Sequence, residues 1–239
     1  MLKQIAKSLV TNHPDISLIV LLVDERPEEV TDFRRSVDAA LFASSSDSKR
    51  ESHVRLASLV LDCAKREVET GKDVVLLIDS LTKMGRAFNA VQQGSGRTMS
   101  GDVDIRALEI PKKIFGSACA LEGGGSLTII ATILVDTNSR MDELIFQEFK
   151  GTGNMELVLN RELANHRIFP AINIQESGTR REELLFGRHT DKHYELRRLV
   201  NNLNPKEAML KLIKILDMYS TNRKLLSKIS KTILENNED

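Results

Sequence analysis

The chain has 239 residues, 34 basic against 34 acidic, with 41% apolar and 28% charged residues, an ordinary globular composition able to bury a sizeable core. A formal charge of zero excludes a strong global field, so any anionic partner has to be held by local basic loops. No apolar run reaches the ~18 residues of a membrane span, the opening residues carry no signal-peptide pattern, and Cys63 and Cys119 fit a reducing compartment better than a disulfide scaffold. The expectation is a cytoplasmic protein with no membrane partner.

Met1 to Val10 reads as a helix, with Leu2, Ile5, Ala6 and Leu9 on one stripe. Ser17 to Val23 is an unbroken apolar run, the pattern of a strand covered on both faces, and it closes on Asp24-Glu25. Arg26-Pro27-Glu28-Glu29 then starts a helix with Pro and acids in its first turn. Ala39 to Ser48 is small and polar, a loop or a short exposed strand, and Ser52 to Thr70 is an amphipathic helix closed by Gly71. A second buried strand follows over 73–78, ending in Asp79-Ser80-Leu81-Thr82-Lys83, and a short helical stretch runs on to Asn89.

Gly94 to Asp102 holds three glycines and Arg97, the composition of a mobile loop. Helix resumes from Ile105 to Phe115 with a boundary or kink at Pro111. Gly123-Gly124-Gly125 leads into a third apolar strand, Ser126 to Val135, terminated by Asp136. Asp136 to Arg140 is a turn and Met141 to Phe149 a short helix. Met155 to Asn160 and Ile168 to Ile174 read as short strands that pair, and from Glu182 the chain is helical, with a loop near 201–205 and a last helix pair over 206–234. Strands alternating with helices predict an α/β parallel sheet.

Three strands closing on acids place several carboxylates on one edge, where α/β folds bind ligands. Such a cluster suits magnesium, which takes carboxylate and phosphate oxygens, and a carboxylate base that activates water. An isolated Asp79 has an even chance of being only a helix cap; Asp24-Glu25 and Asp136 beside it favour the site. A phosphate cradle of the Gly-x-x-x-x-Gly-Lys-Ser/Thr type is absent from the sequence. Arg97, Arg140 and Arg180 each sit among small polar residues, where a solvated surface Arg is the plainer reading. The histidines and cysteines show no zinc-like grouping.

Four stretches carry a specific resemblance: Leu-Leu-Val-Asp-Glu-Arg-Pro-Glu-Glu-Val at 21–30, Gly-Ser-Leu-Thr-Ile-Ile-Ala-Thr at 125–132, Phe-Lys-Gly-Thr-Gly-Asn-Met-Glu-Leu at 149–157, and Ser-Gly-Thr-Arg-Arg-Glu-Glu-Leu-Leu at 177–185. With them the chain resembles the C-terminal ATPase domain of the bacterial Rho transcription termination factors. The resemblance implies a RecA-like parallel sheet flanked by helices, with a partial ATPase core over 1–187 and a C-terminal helical subdomain over 188–239. It implies ATP and Mg2+ as cofactors, and as partners RNA, five further copies in a homohexamer, and the RNA polymerase elongation complex. By it Glu25 orients the attacking water, Asp79 is the magnesium-associated acid, Arg26 lies at the nucleotide, and Arg180 is an arginine finger offered to the neighbouring subunit. Arg97, Thr98, Ser100 and Gly101 fall in the RNA-facing Q loop, Arg140 in the R loop.

Departures accompany the match. Arg97 and Arg140 stand where the family has Lys, Lys83 where it has Arg, and Asp102 where it has Gly, from which weaker RNA coupling is expected. Met1 begins where the family's phosphate loop has just ended. The first strand and phosphate loop are therefore expected to be missing, leaving an unpaired gap inside the sheet and a chain that alone binds no ATP. A non-catalytic module associating with intact Rho-type subunits is the alternative, and another RecA-like hexamer, such as a rotary ATPase subunit, is a third reading that the two pore-type loops argue against.

Overall fold

The apolar runs become neighbouring strands of one parallel sheet. The structure, a computed structural model, describes residues 1–92, 98–99 and 103–235, in two units, Met1–Gly153 and Asn154–Asp239. The first holds α1 (Leu2–Asn12), β1 (Ser17–Glu25), α2 (Pro27–Ser36), β2 (Ala40–Ser45), α3 (Arg50–Glu69), β3 (Asp73–Asp79) and α4 (Leu81–Val91). A hairpin of β4 (Thr98–Met99) and β5 (Val103–Asp104) follows, then α5 (Glu109–Phe115), β6 (Cys119–Ala120), β7 (Ser126–Ala131) and α6 (Arg140–Lys150).

The sheet order is β2-β1-β3-β7-β6. All its pairs are parallel except β6 with β7. Alternation along β1 sends Ile19, Leu21 and Val23 to one face, with Ala57, Val60 and Ala64 of α3, Met84 and Phe88 of α4, and Ile145 and Phe149 of α6. Leu18, Val20 and Leu22 go to the other, with Leu2 and Ala6 of α1 and Phe33 of α2. Helices on both faces are why β1 and β3 read as continuous apolar runs.

Several expectations change. The stretch read as a loop or exposed strand contains β2, paired in register with β1 from Ile19↔Ala40 onward. The third strand is four residues shorter than expected because its partner runs out: β3 ends at Asp79, and past Ala131 the chain bonds instead to the start of α4, with Leu81 N–H donating to Thr132 O (2.9 Å) and Leu134 N–H to Thr82 Oγ1 (2.9 Å). Asp136 is therefore not a strand-end acid. β3 is bonded to β1 on one side and β7 on the other, whereas the far edge of β7 is paired with β6 only at Ser126 and Leu127, leaving Thr128 to Ala131 without a strand partner there among the described residues.

The second unit contains β8 (Met155–Glu156), α7 (Arg161–Asn165), β9 (Gly178–Thr179), α8 (Glu183–Phe186), α9 (Thr190–Asn201), α10 (Pro205–Asp217) and α11 (Asn222–Glu235). The two segments expected to pair meet in a single bridge, Leu159↔Ile172, while β8 pairs with β9. Helix α10 is capped by Asn204, whose side chain accepts from Glu207 N–H, with Pro205 at its first position. It packs Met209 against Leu163, Ile168 and Ala171, and Ile215 against Leu225 and Ile229 of α11.

The turn before β7 depends on one glycine. Gly125 has φ +88°, and a Cβ there would stand 2.4 Å from the Val68 carbonyl oxygen. Gly71 has the same φ with nothing within 4 Å. Gly125→Ala is expected to lose roughly 3 kcal/mol and Gly71→Ala about 1 kcal/mol, compared by urea denaturation; equal losses would show that the close approach to Val68 does not matter.

Candidate functional site

Alternation would place Glu25 on the face of Ile19, Leu21 and Val23. Between Val23 and Glu25, however, the pairing advances two residues on β1 against one on β2, from Val23↔Ser44 to Glu25↔Ser45, and Asp24 has φ 55°. This is a bulge, and it re-aims the residue beyond it. Glu25 joins the opposite face, where with Leu22, Asp79, Glu29, Phe33 and the first turn of α1 it lines a cleft of about 320 Å³. The parallel register sets Leu22 beside Asp79, so the ends of β1 and β3 bring the two acids to one place.

Glu25 is only 6% exposed. Its Oε1 accepts from Lys83 Nζ at 2.5 Å. Burial pushes its carboxyl from 4.5 up to about 7; the Lys83 hydrogen bond opposes this, while Glu29 and the charge of Asp79 reinforce it. Lys83 is placed by Ser80, whose side chain caps α4 by accepting from Lys83 N–H at 3.2 Å. Asp79 is half-buried and accepts from Thr132 Oγ1 at 2.6 Å. The cleft also receives the start of α1, which has neither an acid in its first turn nor a side-chain cap, so the positive end of its dipole is available to an anion.

A carboxyl titrating near neutrality can accept a proton from water. Among the described residues no three His, Cys, Asp or Glu side chains converge as a metal cage. Magnesium needs only one or two carboxylates when phosphates and water fill its other positions, and Asp79 could supply one. Arg26 caps the start of α2 immediately past Glu25, exposed and without an ion pair among the described residues.

A second cluster was not singled out in the sequence. Asp142, in the first turn of α6, is 1% exposed and takes a two-pronged contact from Arg86 of α4, Nε to Oδ1 at 2.7 Å and a second guanidinium nitrogen to Oδ2. Thr137 Oγ1 also donates to Oδ2, at 2.6 Å. Burial alone would raise the Asp142 carboxyl, but the bonds from Arg86 and Thr137 outweigh it and hold it below its ordinary value. Its hydrogen bond to Asp142, with a smaller contribution from the charge of Asp24, raises Arg86. The available sequence signal was Ser139-Arg140-Met141-Asp142 before an apolar run, a helix-start pattern.

The structure thus brings Glu25 and Asp79 together, with Arg26 adjoining. The expected third strand-end acid, Asp136, is exposed at the turn before α6 and is not among the cleft-lining residues. Arg140 is exposed as the first residue of α6. Arg180 is exposed in the second unit just after β9, its N–H donating to Asn154 O (2.8 Å), with no ion pair for its guanidinium among the described residues. Of the residues expected in a Q loop, Thr98 starts β4 opposite Asp104, and Arg97, Ser100 and Gly101 lie outside the described residues.

The nucleotide-binding domain of the ATP synthase alpha/beta family matches residues 1–179. Transcription termination factor Rho of Micrococcus luteus is 51% identical over 239 residues, 100% of this chain and 35% of that protein. The chain belongs to the ATP synthase alpha/beta family, on its Rho branch. The Rho factor of Thermotoga maritima is 52% identical over 231 residues, covering 96% of this chain and 54% of the relative; this Rho-type chain spans about a third to a half of the curated relatives it matches. Among solved structures, an ATPase from the type III secretion system of pathogenic bacteria superposes with TM-score 0.74 at 22% identity, covering 91% of this chain and 72% of that one. The assembled secretion ATPase EscN gives 0.67 at 23%, covering 91% and 60%. Both share the fold. Among the described residues no helix is long and apolar enough to cross a membrane.

Two predictions follow from these charges. Glu25 titrates near 4.5 when unfolded and about 7 when folded. Between those values the folded chain keeps a proton that the unfolded chain has lost, so this group's contribution falls as pH rises from 4.5 to about 7, by roughly 3 kcal/mol. Glu25→Gln should abolish that fall, read from urea midpoints at pH 5 and pH 8; identical pH dependence in both proteins would refute it. Arg86→Ala strands a buried carboxylate and should cost about 3–5 kcal/mol, whereas Arg66→Ala, which breaks an exposed pair with Glu69, should cost no more than about 0.5 kcal/mol.

Proposed function

We propose that this chain is the ATPase part of a Rho-type, RNA-dependent translocase that hydrolyses ATP to move along nascent RNA and release it from RNA polymerase, working as a cytoplasmic homohexamer. The observation that carries this reading is the juxtaposition of Glu25 and Asp79 in one cleft at the strand ends, in a member of a nucleotide-binding family. Glu25, buried and poised near neutrality, orients the attacking water and takes its proton. Asp79 would hold Mg2+, which when bound would neutralise charge on the phosphates. The start of α1 and Arg26 favour the nucleotide's negative charge. Arg180, exposed and uncommitted, is offered to the nucleotide of the next subunit. Arg140, and with it Arg97, Thr98, Ser100 and Gly101, faces RNA phosphates.

The test is poly(C)-stimulated ATP hydrolysis by the full-length gene product. Glu25→Gln should lower the rate at least ~100-fold and Arg180→Ala about 1,000-fold or more. Mixing the two inactive variants should recover part of the rate, because some interfaces then join an intact Glu25 to an intact Arg180. Wild-type rates in either variant would sink the enzymatic reading. No recovery on mixing would place Arg180 in its own subunit's site.

A further inference from the structure

The turn 136–140 has an unusual backbone. Asp136 has φ 55° and Asn138 φ 59°, left-handed conformations that side chains with a Cβ disfavour. The two residues stand two positions apart, and Asp and Asn adopt this conformation more readily than other side chains. The residues between and beside them are tied to one carboxylate. Asp142 is gripped on both oxygens by Arg86 of α4, and on Oδ2 by the Thr137 hydroxyl as well. That hydroxyl in turn accepts from Ser139 N–H at 3.3 Å, and Ser139 Oγ accepts from Asp142 N–H at 3.3 Å. The Thr137 oxygen therefore ties the middle of the turn to the buried acid and to its own backbone at once. A helix first turn can be capped by Ser139 alone, and an apolar residue at position 142 would fill buried space without desolvating a charge. A buried, triply bonded carboxylate here does something else: it fixes the backbone on which Arg140 stands.

We propose that Arg86, Asp142 and Thr137 form a positioning set that presets the turn 136–140 and so presents the Arg140 guanidinium to the phosphates of single-stranded RNA. The presentation rests on the RNA-translocase reading; the positioning does not. None of the three needs to touch the ligand. Thr137 is the informative member because it is exposed, so its hydroxyl can be removed without opening the core.

The full-length protein carries the test. Thr137→Val should lower the melting temperature by no more than a few degrees, speed hydrogen exchange in the peptide covering the turn about tenfold, weaken poly(C) binding several-fold by fluorescence anisotropy, and reduce the slope of log affinity against log salt by about one phosphate contact. Thr137→Ser, which restores the hydroxyl, should return all of these to wild type. Unchanged exchange in Thr137→Val overturns the positioning set, whatever RNA binding does. Equal losses in Thr137→Ser and Thr137→Val overturn the role of the hydroxyl. Faster exchange with poly(C) affinity untouched by both Thr137→Val and Arg140→Ala overturns the presentation of Arg140 to RNA.

Discussion

The arrangement depends on the parallel pairing of β1 with β3. Once Leu18 sits opposite Val75 and Leu22 opposite Asp79, both strands end on the same edge and their terminal acids have no choice but proximity. The apolar faces enforce this register, because a one-residue slip would exchange the sets facing α3 and α4 with those facing α1 and α2. The bulge at Asp24 adds a local correction, turning Glu25 onto the face that Asp79 occupies. The price is a left-handed Asp24 and a buried carboxyl, which Lys83 partly relieves.

Helix α4 is the second organising element. Its cap, Ser80, follows Asp79 directly, so the helix starts at the cleft and runs away from it. Lys83 and Arg86 stand three residues apart, on neighbouring turns of one surface, and each grips an acid from a different element: Glu25 at the end of β1 and Asp142 at the start of α6. The chain after β7 is tied to the same helix through Leu134 N–H and Thr82. One helix thus sets where Glu25 and the start of the helix bearing Arg140 stand, through direct bonds to Glu25 and Asp142.

Much of this was legible in the residues. The unbroken runs at 17–23 and 73–78 announced buried parallel strands because covered faces need no polar alternation, and their closing acids line one cleft. The third strand was misjudged because Thr132 to Val135 is as apolar as the strand before it; only the end of β3, its bonding partner, stops it at Ala131. β2 was ambiguous because Ala40 to Ser45 is small, and its identity comes from pairing with β1. The roles of Lys83 and Arg86 had no signal, since nothing in the sequence shows which acids lie across from them. The quoted motifs located Glu25, Asp79 and Arg180, but only Glu25 and Asp79 are brought together within the first unit.

The sequence by itself determined the fold class, the acid-bearing strand ends and the family, because apolar periodicity and long motif strings are local properties of the chain. Only the tertiary structure decided that Glu25 crosses to the face of Asp79, that burial drives its titration toward neutrality, and that Asp142 is a buried anchor instead of a surface cap. Those outcomes depend on bulge geometry, desolvation and distances between residues more than fifty positions apart, and none of them is written in the order of residues along either segment.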